Sequence, residues 1–223
     1  MVEPIRINSL ATEAFDRVVE VITSGAYAPG QKLSESELAR QLGISRGPVR
    51  EALQRLEGRL IERIPRIGVR LLRLDAAALR QLFLIREALE GLAARLAAQQ
   101  PTQSWIDTTA RMLERHRRAV ENDSSGAYRQ AGANEDFHFA VARAANCPSL
   151  ERVMLNEVYY QLRLHRIKSS TAPGRAQQAL KEHHAIFDAI CAGDADGAEQ
   201  RMRAHIAQAR GNTLLLAETD PAP

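Results

Sequence analysis

The chain has 223 residues, a formal net charge of +3, 4% aromatic residues and two cysteines. That length allows one large or two modest domains with real cores, and low aromatic content beside abundant Ala, Leu and Arg points to a mainly helical protein. Cys147 and Cys191 are too few for a disulfide framework and form no CxxC pair; no apolar run approaches the ~18 residues of a membrane span, and no signal-peptide core opens the chain, so a soluble, cytoplasmic protein without a membrane partner is expected.

Helical spacing of apolar residues places a first helix over 9–24. Ser34 is suited to cap a second helix ending at 42, with Glu37 completing a capping box, and Leu38, Ala39 and Leu42 form its apolar face. Gly43 breaks that helix, Ile44 plugs the turn, and Ser45 is placed to cap a third helix over 45–57, whose first turn tolerates Pro48. Val49, Ala52, Leu53 and Leu56 point inward at i, i+3, i+4 and i+7. Arg46 and Arg50 then lie one turn apart on the outward face at the helix start, where a recognition helix presents side chains to base edges. A guanidinium there forks onto guanine O6 and N7. A two-stranded hairpin over 60–73, with Gly68 near its tip, supplies a wing. Residues 40–73 carry nine arginines against three glutamates, whereas residues 75–223 hold 18 basic and 18 acidic residues, so positive charge gathers where phosphate neutralisation requires it. A bare arginine run also occurs on solvated faces without function; the helix pair around this one argues for double-stranded DNA.

SRGPVREALQRLE resembles the recognition helix of the GntR family of bacterial winged-helix regulators, and GAYAPGQKLSESELARQLGIS is similar to that family's run from helix one into helix two. The resemblance implies DNA contacts from Ser36, Ser45, Arg46 and Arg50, and from Arg66 and Gly68 of the wing. Two departures stand out. Leu56, Glu57, Gly58, Arg59 and Leu60 are one residue shorter than the family's usual link, so a different turn is expected before the first wing strand. Ile67 stands where a polar or basic residue is usual, which makes the wing tip unusually apolar.

Asp75 is suited to cap the next helix, leaving a very short join between a domain at 1–74 and a second at 75–218. Helices follow over 75–99, 103–121, 127–145, 148–167, 175–192 and 194–216, separated by PTQS, NDSSG, NCPS, SSTAPG and AGD. Pro148 fits a first turn and Asp194 a cap. The expected fold class is mainly α, an N-terminal winged helix-turn-helix plus a C-terminal antiparallel bundle, the kind of interior that houses ligand and metal sites.

In NEDFHFA, Asn134 and His138 are four apart on one helix face; His183 lies three before Ile186, and His205 three after Met202. Apolar neighbours at helical spacing turn all three imidazoles inward. Three histidines and one oxygen donor match a first-row divalent ion, although spacing alone is met more often by hydrogen-bonded core histidines. Arg86, one turn before Glu90, is open to two readings: a partner for an anionic ligand, or an intrahelical ion pair.

Arg86, Leu89 and Glu90 with the following AARLAA, then NxxFH, EHxxI and MxxHI, are similar to the FCD effector domain of the FadR subgroup, in its shorter six-helix, VanR-like form. The resemblance implies a divalent metal, Zn or Ni, held by Asn134, His138, His183 and His205, with asparagine where aspartate is frequent and Glu135 as a substitute donor. His116, His165 and His184 match no role and are expected at the surface or a pocket rim. It further implies a small carboxylate or sugar-acid effector, with Arg86 as its contact, and a homodimer on an inverted-repeat operator, acting as a repressor through the short join. A metal-dependent enzyme is the alternative, but no general base is placed by a motif, and Glu182 and Glu135, the only nearby acids, are each open to a supporting place behind the metal ligands. A constitutive DNA binder with structural histidines is another. No enzyme activity is expected.

Overall fold

The computed structural model describes residues 7–122, 136–161 and 174–219. The chain divides into two compact units, Met1–Leu74 and Asp75–Pro223.

The first unit runs α1 (Ile7–Thr23), β1 (Lys32–Leu33), α2 (Glu35–Leu42), α3 (Arg46–Leu56), β2 (Ile61–Ile64) and β3 (Gly68–Leu71). Phe15, Val18, Val19 and Ile22 of α1 are buried where α1 packs on α3, and the Arg55 guanidinium lies 4.0 Å from the centre of the Phe15 ring. Val49, Ala52, Leu53 and Leu56 form the buried face of α3, as their spacing requires. Ser34 Oγ accepts from the Glu37 N–H at 3.3 Å, but the Glu37 carboxylate faces Arg40 at 3.9 Å, so the capping box is only half formed. Ser45 occupies the cap position of α3 without a side-chain cap bond, contrary to expectation. Pro48 contributes: it takes the third helical position, one of the two whose N–H a capping serine binds, and proline has none.

The wing is part of a three-stranded sheet, not a two-stranded hairpin, in the order β1-β3-β2. Lys32 pairs with Arg70 and Leu33 with Val69; a two-residue strand is too short to show alternation in sequence. In the link from α3 to β2, Gly58, with φ of +79°, turns its N–H to the Ile61 carbonyl at 2.9 Å while Leu60 N–H bonds Leu56 O at 2.9 Å. Only glycine enters that conformation without steric cost.

The second unit contains α4 (Ala76–Gln99), α5 (Gln103–Asn122), α6 (Phe137–Ala144), α7 (Pro148–Val153), a π turn (Met154–Val158), α8 (Arg175–Cys191) and α9 (Ala195–Thr219). Asp75 caps α4, its Oδ1 accepting from Ala78 N–H at 2.7 Å, Pro148 opens α7, and Asp194 Oδ1 accepts from Gly197 N–H at 2.9 Å. α4 is the central helix: it packs most extensively on α9 and also meets α6, α8 and the π turn. Its buried side is built from Leu79, Leu82, Phe83, Ala93, Ala94, Ala97 and Ala98, and it also buries Arg86 and Glu90. Parts of the helices expected over 127–145 and 148–167 lie outside the described residues. Within the second of these, the π turn interrupts regular α geometry after Val153, an insertion that occurs frequently at functional sites and that periodicity did not reveal. His116, expected at the surface or a pocket rim, is buried on α5.

Candidate functional site

In the first unit, Arg46 and Arg50 project from the start of α3 with 63% and 52% of their side chains exposed. Glu35 of α2 organises both. Its Oε2 accepts from Arg50 Nε at 3.1 Å and Nη2 at 3.0 Å and lies 3.7 Å from Arg46 Nη2. The hydrogen bonds from Arg50 hold the Glu35 carboxyl below the usual carboxylate range. Ser36 is exposed, with its Oγ 2.9 Å from Ser34 Oγ, and Ser45 is exposed at the turn between the two helices. Glu35 had no role in the sequence reading, because its partners lie across a turn on another helix.

At the wing tip, Ile67 N–H closes a turn onto Ile64 O at 3.1 Å, with Pro65 second and Arg66 third. Arg66 has φ +67°, the left-handed conformation that glycine usually supplies at that position. Ile67 is exposed next to it, so the apolar tip expected from sequence faces outward, and Gly68 (φ +107°) starts β3.

In the second unit, α6, α8 and α9 bring His138, His183 and His205 together. One ring nitrogen from each lies within 4.8 Å of the others, and all three residues are buried. His183 Nε2 and His205 Nε2 are 3.3 Å apart. The His183 ring stacks on Phe137 at 4.4 Å between centres. Two carboxylates face the cluster from outside. Glu90 on α4 binds His138 Nδ1 through Oε2 and Arg86 Nε through Oε1; Arg86 Nη2 lies 3.4 and 3.3 Å from the two ring nitrogens of His138, near-equal distances that set the guanidinium against the ring face. Glu182 on α8 binds His205 Nδ1 at 2.6 Å, with Arg175 at 2.9 Å and Gln178 at 3.0 Å behind it.

Burial pushes the Glu90 carboxyl upward, but the Arg86 and His138 charges and hydrogen bonds outweigh it and hold the group well below the ordinary range. Glu182 is likewise raised by burial and lowered more, to about 2, chiefly by its bond to His205. Burial lowers His205 to about 4, against the opposing pull of Glu182. A histidine so lowered is neutral near pH 7, with a lone pair to offer.

A pocket opens beside His138, lined by Arg86, Glu90, Asp136, Phe139, Met154, Val158 and Tyr159. Arg86 therefore both lines the pocket and pairs with Glu90. Asp136 caps α6, accepting from the His138 N–H at 2.9 Å, and its extended backbone starts the helix at Phe137. Of the helix expected over 127–145, the described part thus starts at Phe137, and the helix face expected to carry Asn134 together with His138 falls on residues not described. Asn134, Glu135 and His165 lie outside the described residues. His184 is half-buried, its Nδ1 2.9 Å from Leu180 O.

A DNA-reading head joined by residues 72–75 to a separate helical domain is the build of a DNA-binding transcriptional regulator. Residues 10–71 match the family described as "Bacterial regulatory proteins, gntR family", and residues 81–208 match the FCD domain. The chain belongs to the GntR family and carries the FCD domain. It is 33% identical over 200 residues to the "Probable D-xylose utilization operon transcriptional repressor" of Paenarthrobacter nicotinovorans, covering 89% of this chain and 86% of that one. It is 29% identical to the HTH-type transcriptional repressor RspR of Escherichia coli K12 over 80% of this chain and 78% of that one. Among solved structures, a GntR regulator from Rhodococcus sp. RHA1 matches with TM-score 0.71 and 27% identity, over 92% of this chain and 98% of that one. E. coli McbR/YncC shares the fold, with TM-score 0.74 over 99% of each chain at 23% identity. Family and relatives are regulators, not enzymes.

Proposed function

We propose that this regulator is a repressor whose operator affinity is set by a small organic acid bound at a divalent metal site in the helical domain. The observation that carries the reading is the buried convergence of His138, His183 and His205. Nitrogens bound to one tetrahedral ion at about 2.0–2.1 Å lie about 3.3–3.4 Å apart, and the two Nε2 atoms of His183 and His205 stand at 3.3 Å. The donor set therefore fits Zn or Ni, with His138, His183 and His205 as ligands and Asn134 as the oxygen donor. Such an ion supplies open positions for a carboxylate or hydroxyacid.

Charge supports an anion there. Arg86 with Glu90 and Arg175 with Glu182 cancel in pairs, and the imidazoles are neutral as ligands. A divalent ion among neutral nitrogen ligands carries net positive charge, which a bound carboxylate offsets, since a buried charge left uncompensated is costly. Arg86, lining the same pocket, is the effector contact.

Two heads are needed on an inverted repeat. The outer face of α4 exposes Leu84, Ile85 and Leu92, apolar surface suited to pairing with a second copy. Ser36, Ser45, Arg46, Arg50, Arg66 and Gly68 meet the DNA, in the cytoplasm where the operator lies. The relative named for a D-xylose utilisation operon favours an effector from carbon catabolism, and repressor-named relatives favour repression. The acid changes DNA affinity only through unequal binding to two arrangements of the protein.

The test is fluorescence anisotropy on an inverted-repeat operator, with a panel of carboxylates and sugar acids, run with metal and with chelator. One class of acid shifts the curve and chelator abolishes the shift. A curve that no acid moves in the metal-loaded protein overturns the reading; a melting temperature indifferent to metal and chelator leaves the histidines structural.

A further inference from the structure

Two chains of contacts with the same order of groups, one buried and one partly buried, lead to the histidines. In one, Arg86 and Glu90 of α4 reach His138 of α6. In the other, Arg175 and Glu182 of α8 reach His205 of α9. Each carboxylate thus crosses from its own helix to a histidine on another. Both bind the Nδ1 atom, and neither belongs to the group of close ligand atoms itself.

We propose that Glu90 and Glu182 are positioning residues for the metal: each holds the proton of its histidine on Nδ1 and so leaves the Nε2 lone pair directed into the cluster. The inference rests on the metal reading above. A neutral imidazole carries its proton on either nitrogen, and the hydrogen bond made by one nitrogen decides which lone pair remains. A carboxylate acceptor also strengthens the opposite nitrogen as a donor and fixes the ring's orientation. The arginine behind each carboxylate fits this role. It neutralises a charge that burial would otherwise penalise, and it occupies the carboxylate so that the acid stays outside the ligand group. In the Glu90 chain the division is explicit, with Oε1 toward Arg86 and Oε2 toward His138. In the Glu182 chain, Gln178 Nε2 takes Oε1 at 3.0 Å, while Arg175 and His205 share Oε2. His183 is held differently, by stacking on Phe137.

Two purely structural ion pairs would alter folding stability and leave the ligand field alone. The two roles separate in a Co(II) titration of the full chain, followed by visible absorption, with Zn affinity measured by competition against a chromophoric chelator. Glu182→Ala is expected to weaken Zn binding about 10–100-fold and to change the Co(II) bands. Glu182→Gln keeps an acceptor oxygen for Nδ1–H and falls between wild type and alanine. Glu90→Gln, which leaves Arg86 an oxygen partner, shows the same weakening at His138; together the two glutamine variants decide the matter if Glu182→Ala does not fold. Folded variants with wild-type affinity and unchanged Co(II) bands overturn the positioning role while leaving the metal site standing. A wild-type chain that takes up no Co(II) or Zn overturns the metal reading, and this inference with it.

Discussion

The outward arginines of α3 and the histidine cluster sit at opposite extremes of exposure. Arg46 and Arg50 stand more than half exposed over Val49, Leu53 and Leu56, which solvent does not reach. His138, His183 and His205 are themselves core, 5%, 1% and 5% exposed, together with Arg86 and Glu90 at 3% each. In the head, the proposed DNA contacts lie outside the packing that holds the fold, so function and stability are expected to separate. In the helical domain, desolvation makes them one quantity, because each polar partner removed leaves another stranded in a medium that penalises it.

The strongest way to break this contrast is Glu90→Ala. It strands the buried Arg86 guanidinium and removes the His138 Nδ1 partner, and breaking a buried pair from one side costs about 3–5 kcal/mol. Urea denaturation of the full chain measures it. Replacing Arg86 and Glu90 together by Met restores most of the loss, since two apolar groups of similar volume carry no stranded charge. A cost below about 1 kcal/mol for Glu90→Ala, the scale of an exposed pair, would place this network with the surface arginines and erase the distinction.

The same difference decided what could be read from sequence. The head was legible because its signals are local: the turn glycine Gly43, the cap Ser34, and four apolar residues at one helical spacing on α3. What escaped there was non-local, namely β1 pairing with β3 and Glu35 reaching Arg50 fifteen residues away. For the helical domain, periodicity correctly turned three histidines inward, since Ile186 and Met202 mark the buried sides of their helices. It did not show which histidine each acid binds. Glu90 was visible only as an i, i+4 partner of Arg86, and Glu182 as a nearby acid open to a supporting place behind the ligands but without its partner His205, because their second contacts come from other helices. The start of α6 at Phe137 was also missed, because Asp136 caps it inside an apparently continuous helical pattern.

The contrast sharpens if Arg46→Ala or Arg50→Ala weakens operator binding by about 1–3 kcal/mol, chiefly at one base position, while the unfolding free energy stays within about 0.5 kcal/mol of wild type, as for other surface changes. Competition anisotropy with single-base operator variants and urea denaturation read the two quantities on the same preparations. A uniform loss on all sequences would assign the residue to phosphate contact.

The smallest effect concerns the wing, where function and stability should move in opposite directions. Arg66 holds φ at +67°, and a left-handed conformation costs a residue with a Cβ roughly 1–2 kcal/mol. Glycine relieves that strain but loses about 0.4–1 kcal/mol through the greater freedom of its unfolded chain. Arg66→Gly is therefore expected to stabilise the chain by up to about 1.6 kcal/mol in urea denaturation. The same change removes a cation from the tip, so operator binding weakens and the magnitude of the salt slope falls by about one. Gain in one measurement with loss in the other means that the strained arginine is kept for the DNA. If stability and affinity both fall, Arg66 holds the turn together, and the separation between acting groups and fold stops at the recognition helix.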